Sequence, residues 1–340
     1  MPVGDGLKIN DAEKTLGISK MAFFTRYVIL VCLFLVGCQS VTFDVAFFQP
    51  PITSSQEPAK PITHYSLYNN TTLVNLGEMK AQVPSFDGKG LLLASWTPHS
   101  RGTSGRPTFV VVHGGHGLVP TNFASALWLR DTFNANVLVL DSYWSRGQNE
   151  NWATRTRFGA NMRVLDVIAA GRWLRDVQNV DTEQLFVMGD SQGGWTVLRA
   201  FTDDPFINVQ MTGLYRAGIA AYPGCFSYGT PTAPKLSPYR APVIVFTGGK
   251  DTATPISECP KGVLESAQKW IHYPDQTHAW DSANRGAAGV PVDGECGRAM
   301  NVYNKFPVCR SDATTNDMRR NIHAFIEDLR TRPAHGVTSR

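Results

Sequence analysis

The stretch Leu185-Phe186-Val187-Met188-Gly189-Asp190-Ser191-Gln192-Gly193-Gly194 changes character in its middle. Its first four residues are continuously apolar, the pattern of a strand buried on both faces. Beyond the glycines, Trp195 to Phe201 reads as a helix. A serine at such a junction sits in a tight, strained bend that presents its hydroxyl at the end of the strand. The flanking glycines fit because a Cβ there would collide with the neighbouring strand and helix. Ser191 is therefore the first candidate for chemistry.

Working outward, similar short apolar runs recur at Leu91–Trp96, Thr108–His113, Asn136–Asp141, Gln184–Gly189, Ile219–Tyr222, Val243–Thr247 and Trp270–Tyr273. Several end directly on Gly, Asp or Pro. Helical patterns lie between them: Leu165, Ile168, Ala169 and Trp173 share one face, as do Met318, Ile322, Phe325, Ile326 and Leu329. Apolar strands alternating with amphipathic helices predict an α/β fold, a mainly parallel sheet with helices on both faces. No internal repeat breaks the pattern, so residues 64–335 are read as a single domain. The polar, Gly- and Asn-rich stretch from Ser282 to Asp312 reads as a long excursion before the last helix, held by a Cys296–Cys309 bond.

Composition narrows the function classes. With 43% apolar and 18% charged residues the chain reads as globular, and a net charge of +4 without any Lys/Arg-rich run gives no nucleic-acid footprint. The first residues read as a targeting segment. Met21 to Arg26 forms a short basic start, so Met21 is taken as the translation start, and Val28 to Val36 is an apolar core too short to span a bilayer. Leu35-Val36-Gly37-Cys38 resembles a bacterial lipobox, with Cys38 lipidated and residues 1–38 forming the signal region. A plain secretory signal or an uncleaved anchor is the alternative. Gln39 is not the aspartate associated with inner-membrane retention, which points to a periplasmic lipoprotein on the outer membrane. Residues 39–63, with Pro50, Pro51, Pro58 and Pro61, read as a tether. Cys225, Cys259, Cys296 and Cys309 remain in the exported part, and two disulfides among them allow three pairings.

A serine hydroxyl needs a histidine base, itself oriented by a carboxylate. In a parallel sheet these groups must come from loops at the carboxyl ends of strands. Val243–Thr247 runs into Gly248-Gly249-Lys250-Asp251, and Trp270–Tyr273 runs into Pro274-Asp275-Gln276-Thr277-His278. Ser191, Asp251 and His278 are therefore the candidate triad. Asp141, Asp190, Asp275 and Asp281 are rival acids; the order Ser191, Asp251, His278 resembles that of the α/β-hydrolases, which implies that Asp141, before the serine, is not the acid, and Asp190 should point elsewhere. His272 falls inside a strand and is read as structural. The oxyanion donors should be the amide of Gln192 and one from His113-Gly114-Gly115-His116-Gly117, with Gly115 first and His116 next. A metal reading of His113 and His116 lacks a third ligand at suitable spacing, so neither metal nor cofactor is expected.

Taken together, these residues resemble the dienelactone-hydrolase branch of the α/β-hydrolase superfamily over about Leu91 to Leu329. Asp141-Ser142-Tyr143-Trp144-Ser145-Arg146-Gly147, Ala221-Tyr222-Pro223-Gly224-Cys225, Lys250 to Pro255 and His278-Ala279-Trp280-Asp281 carry the likeness further. The nucleophile position departs from it: Ser191 stands where the dienelactone hydrolases proper have cysteine. The resemblance thus implies an α/β-hydrolase fold and a serine esterase that cleaves a small-molecule ester through an acyl-enzyme. A non-catalytic envelope protein and an acyl transferase are the alternatives. Trp144, Arg146 and Trp280, with Tyr143, should lie near the substrate, although Arg146 also suits a structural salt bridge. Cys225 and Cys259, near the acid loop, are expected to pair and brace it.

Overall fold

The computed structural model describes residues 80–146, 160–225, 239–260, 262–282, 293–294, 296–300 and 305–332. The signal region, Cys38 and the tether lie outside these residues. Strand-forming sequence is concentrated where side chains are buried on both faces. Thr108–Val112 (β3), Asn136–Leu140 (β4), Leu185–Asp190 (β5), Ala217–Ala221 (β6) and Val243–Gly248 (β7) are rich in Val, Ile, Leu and Ala and almost wholly enclosed. Lys80–Pro84 (β1) and Leu91–Thr97 (β2) precede them, and Lys269–Tyr273 (β8) follows. The eight strands form one sheet in the order β1-β2-β4-β3-β5-β6-β7-β8. β1 and β2 pair antiparallel, as do β2 and β4; every other pairing is parallel.

Alternation of side chains sorts the core into two halves. Val110, Val112, Leu138, Leu140, Val187 and Val245 pack on one face against helices Ala160–Asp176 (α2) and Gln192–Phe201 (α3). Phe109, Val111, Val137, Val139, Phe186 and Phe246 pack on the other, against Pro120–Phe133 (α1) and Asp312–Thr331 (α5). The expected double-sided cover is present. Local signals set the helix ends: Pro120 opens α1 and Asn134, at φ 51°, closes it in the left-handed region. Asp204 caps the short helix Pro205–Met211 (α4) by accepting from the amides of Phe206 and Ile207, and Ser311 caps α5 through Thr314.

The structure also departs from the sequence reading. The helix after Ser191 begins at Gln192 rather than Trp195. β1 was not anticipated. The excursion before α5 contains a second, two-stranded sheet, Cys296–Met300 (β9) paired antiparallel with Lys305–Cys309 (β10). Cys296 and Cys309 are register partners and are disulfide-bonded, and Cys225 bonds Cys259, as expected for both pairs.

β3 and β5 are neighbours, yet the chain leaves β3 toward β4 on one side and β5 toward β6 on the other. This divergence opens a crevice at the carboxyl ends of the two strands, where ligands bind in open α/β sheets.

Candidate active site

The crevice holds Ser191. Its backbone lies at φ 52°, ψ −116°, a region that non-glycine residues adopt only at a cost of order 1–3 kcal/mol. Hydrogen bonds hold the bend in place: the Ser191 amide donates to the Ala221 carbonyl (2.9 Å), and the Ser191 carbonyl accepts from Trp195 (3.0 Å) and Gly224 (3.3 Å). Space is equally restrictive. A Cβ on Gly193 would stand 2.3 Å from the carbonyl oxygen of Val112, so α3 can approach β3 only with glycine there.

A serine preceding a helix ordinarily caps it with its hydroxyl. Ser191 makes no such bond. Its Oγ lies 3.0 Å from His278 Nε2, and His278 Nδ1 lies 2.7 Å from Asp251 Oδ2. All three side chains are almost completely enclosed. With Nδ1 as the N–H donor to Asp251, Nε2 is free to accept from the serine. Two backbone hydrogen bonds, Gly249 to Tyr273 and Lys250 to Gln276, tie the acid-bearing loop to the histidine-bearing one. A Cβ on Gly249 would stand 2.3 Å from the Pro274 carbonyl oxygen, so this contact also requires glycine.

Asp251 is held on every side. Its Oδ1 accepts from the amides of Ala253 and Thr254, and its Oδ2 from the Thr254 hydroxyl, each at 2.8 Å. Burial alone would raise its pKa; the His278 ring and the Thr254 hydrogen bonds outweigh that and hold the carboxyl below its ordinary value. The rival acids are engaged elsewhere. Asp141 accepts from the Ser145 hydroxyl and amide, Asp275 pairs with Lys250 at the surface, and Asp281 accepts from the Tyr222 hydroxyl (2.7 Å). Asp190 is engaged by Asn122 Nδ2, from which its Oδ1 accepts (2.8 Å), whereas His278 Nδ1 is bonded to Asp251. Burial, and then the charge of Asp281, push the Asp190 pKa up to about 7.

Gln192 is the first residue of α3, so its N–H has no acceptor within the helix and faces the turn. On the β3 side, His113 is fully buried. Its Nε2 accepts from the Ser142 amide (3.1 Å), which leaves Nδ1 as the donor to the Gly114 carbonyl (2.7 Å). Burial, followed by the Arg163 charge, holds its pKa far below the usual histidine value, so the ring is neutral. The Gly114 carbonyl also accepts from Gly117 (3.3 Å). In a trans peptide unit the C=O and the following N–H point opposite ways, so fixing this carbonyl turns the Gly115 N–H to the other side. Gly115 is buried; His116 is half-buried.

Of the residues expected near a substrate, two are placed otherwise. Arg146 is committed to Asp166 through two hydrogen bonds (2.6 and 3.0 Å), as the salt-bridge reading held, and is not offered to an anionic substrate group. Trp280 is wholly buried, packed edge-on against Tyr222 and Tyr273, because it belongs to the core beneath the histidine loop. The Trp144 side chain lies outside the described residues. Tyr143 is buried and its hydroxyl donates to Gln192 Oε1.

Three neighbours of the site had not been singled out. Thr254 fixes Asp251 from within its own turn. Phe306, on β10, packs edge-on to the His278 ring at 5.3 Å, and Tyr222 does so at 4.9 Å. Thr254 and Tyr222 stood inside recognised loop segments. Phe306 had no such signal, since only the fold of the β9–β10 hairpin brings it there.

No protein-family model matches the chain, and no curated protein matches it. Solved structures do. The putative dienelactone hydrolase of Klebsiella pneumoniae superposes with a TM-score of 0.53 at 15% identity, over 73% of this chain and 98% of its own. The dienelactone hydrolase-like promiscuous phosphotriesterase P91, from metagenomic libraries, gives 0.54 at 15% identity, over 74% and 98%. A thermophilic esterase of Thermogutta terrifontis gives 0.52 at 13% identity, over 76% and 95%. At these identities the likeness is one of architecture, and it agrees with the strand order and pairing described above. The fold of this chain is the α/β-hydrolase fold.

Proposed function

We propose that the chain is a serine hydrolase that cleaves small-molecule carboxylic esters through an acyl-enzyme. The observation that carries this reading is the continuous hydrogen-bonded line from Ser191 Oγ through His278 to Asp251. Ser191 Oγ attacks the carbonyl carbon while its proton passes to His278 Nε2. Asp251 keeps Nδ1–H oriented and stabilises the imidazolium. The oxyanion is held by the amides of Gln192 and Gly115. Nε2–H then protonates the departing alkoxide, and the alcohol leaves. Water, losing a proton to Nε2, attacks the ester of Ser191 and releases the acid. The similar solved structures, described as an esterase and as dienelactone hydrolase-like, are consistent with this substrate class. Purified mature protein should hydrolyse p-nitrophenyl butyrate, and Ser191→Ala should abolish turnover; turnover retained by that variant overturns the assignment.

The lipobox-like segment ending at Cys38 supports a lipid-anchored periplasmic location, on the outer membrane. Two disulfides suit such an oxidising compartment. In cells fed an alkyne fatty acid, the wild-type chain should incorporate label and Cys38→Ser should not; equal labelling refutes the anchor at this residue.

A further inference from the structure

The two amides proposed to hold the oxyanion belong to different strands, one arm following β3 and the other following β5. Arg163, from α2, spans them. Its Nη2 donates to the His113 carbonyl, at the base of the β3 arm, and its Nη1 donates to Gln192 Oε1 (3.3 Å), on the first residue of the β5 arm. Tyr143 completes the link: its hydroxyl donates to the same Gln192 oxygen, its ring packs edge-on to His113 (4.7 Å), and the guanidinium lies 5.4 Å from the ring centre.

This is an expensive way to hold two loops together. Arg163 is 1% exposed, and no carboxylate among the described residues comes within ion-pair distance of it. Its hydrogen-bond acceptors are neutral, and Asp166, Asp190 and Asp141 act on it only from beyond ion-pair distance, so burying this cation costs several kcal/mol that apolar side chains of the same volume would not. Among the described residues Arg163 Nε and Gln192 Nε2 are moreover buried without a hydrogen-bond partner, so the arrangement leaves donors unpaired rather than satisfying them. What the guanidinium provides is geometry, because its planar fork fixes the two acceptors relative to each other.

Resting on the serine-hydrolase reading above, we propose that Arg163 is a positioning residue of the oxyanion site. By bridging the His113 carbonyl to the Gln192 side chain, it sets the spacing of the Gly115 and Gln192 amides. His113 then passes this placement on, since its Nδ1–H holds the Gly114 carbonyl and thereby aims the Gly115 N–H. Arg163 itself touches neither substrate nor the reacting atoms.

A fluorophosphonate tests this without knowledge of the natural substrate, because its phosphoryl oxygen occupies the same two-amide site as Ser191 attacks phosphorus and fluoride leaves. The second-order rate constant for labelling Ser191 is measured across pH, with the melting temperature, for wild type, Arg163→Lys, Arg163→Met and Gln192→Met. Misplacing a donor should lower the plateau rate about tenfold or more. The apparent pKa of the acid limb should stay where it is, since Ser191, His278 and Asp251 are untouched. Arg163→Lys, which restores one of the two bonds, should be intermediate. An Arg163→Met/Gln192→Met double variant should lose no more than the worse single one, because both cut one link. If Arg163→Met does not fold, Arg163→Lys and Gln192→Met carry the test. Labelling rates within twofold of wild type overturn the inference while leaving the hydrolase reading intact. A rate loss accompanied by a shifted acid limb also overturns it, since the defect then lies in the triad. Wild-type protein that is never labelled at Ser191 overturns the hydrolase reading, and this inference with it.

Discussion

Ser191 occupies a position where local preference and the proposed function pull apart. Its backbone lies at positive φ, at a cost of about 1–3 kcal/mol, and its hydroxyl oxygen accepts no capping bond from the amides of α3, which forgoes about 1 kcal/mol more. The hydroxyl instead meets His278, whose orientation depends on one carboxylate oxygen. Asp251→Asn tests that dependence: an amide can donate to Nδ1, which turns the ring to the wrong tautomer with little change in packing. The variant should lose about 10³–10⁴-fold in kcat with a nearly unchanged melting temperature. A loss under tenfold in the folded variant would mean that Asp251 does not orient the base.

The elements that position these side chains differ in how plainly the sequence announces them. β3, β5 and β7 are largely apolar runs, β5 ending on Asp190, β7 on Gly248 and β3 on Val112 just before His113 and Gly114, and the segments after them carry His113, Ser191 and Asp251. Burial of both faces produces that pattern, so it can be read directly. β1 is legible only in retrospect: among its described side chains, residues 81–84, Val83 alone is wholly buried, because the strand lies at the sheet edge. β9 and β10 carry Gly297, Arg298 and Pro307 among their apolar residues and show no continuous apolar run, and they pair where Cys296 bonds Cys309 and Phe306 closes over His278 and Ala253. Arg163 escaped notice for the opposite reason. It sits among Val164, Val167 and Ile168 on a helix whose apolar face was recognised, and periodicity cannot distinguish a charge that reaches into the core from one that reaches solvent.

At the scale of the whole molecule, the reversal of chain direction around β3 and β5 creates the crevice, and buried ionisable groups gather beneath it. Their cost should appear in the pH dependence of stability. Asp190 has a carboxyl raised from 3.8 to about 7 by burial and by Asp281. Below about pH 4 it is protonated in both the folded and unfolded states and contributes nothing. Between about pH 4 and 7 only the unfolded state ionises, so stability falls as pH rises, by up to about 4 kcal/mol, and the deficit persists above pH 7. Asp190→Asn, which can still accept from Asn122, should melt higher than wild type at pH 8 and alongside it at pH 4. A stability difference that does not change with pH would contradict this assignment.

The central claim concerns one oxygen atom, Ser191 Oγ, and mass spectrometry can address it directly. After exposure to a fluorophosphonate, the wild-type protein should gain a single phosphonyl adduct. Peptide mapping should place that adduct on Ser191, and Ser191→Ala should gain none. An adduct of equal yield on the Ser191→Ala protein, or one mapped to another residue in the wild type, would contradict the account.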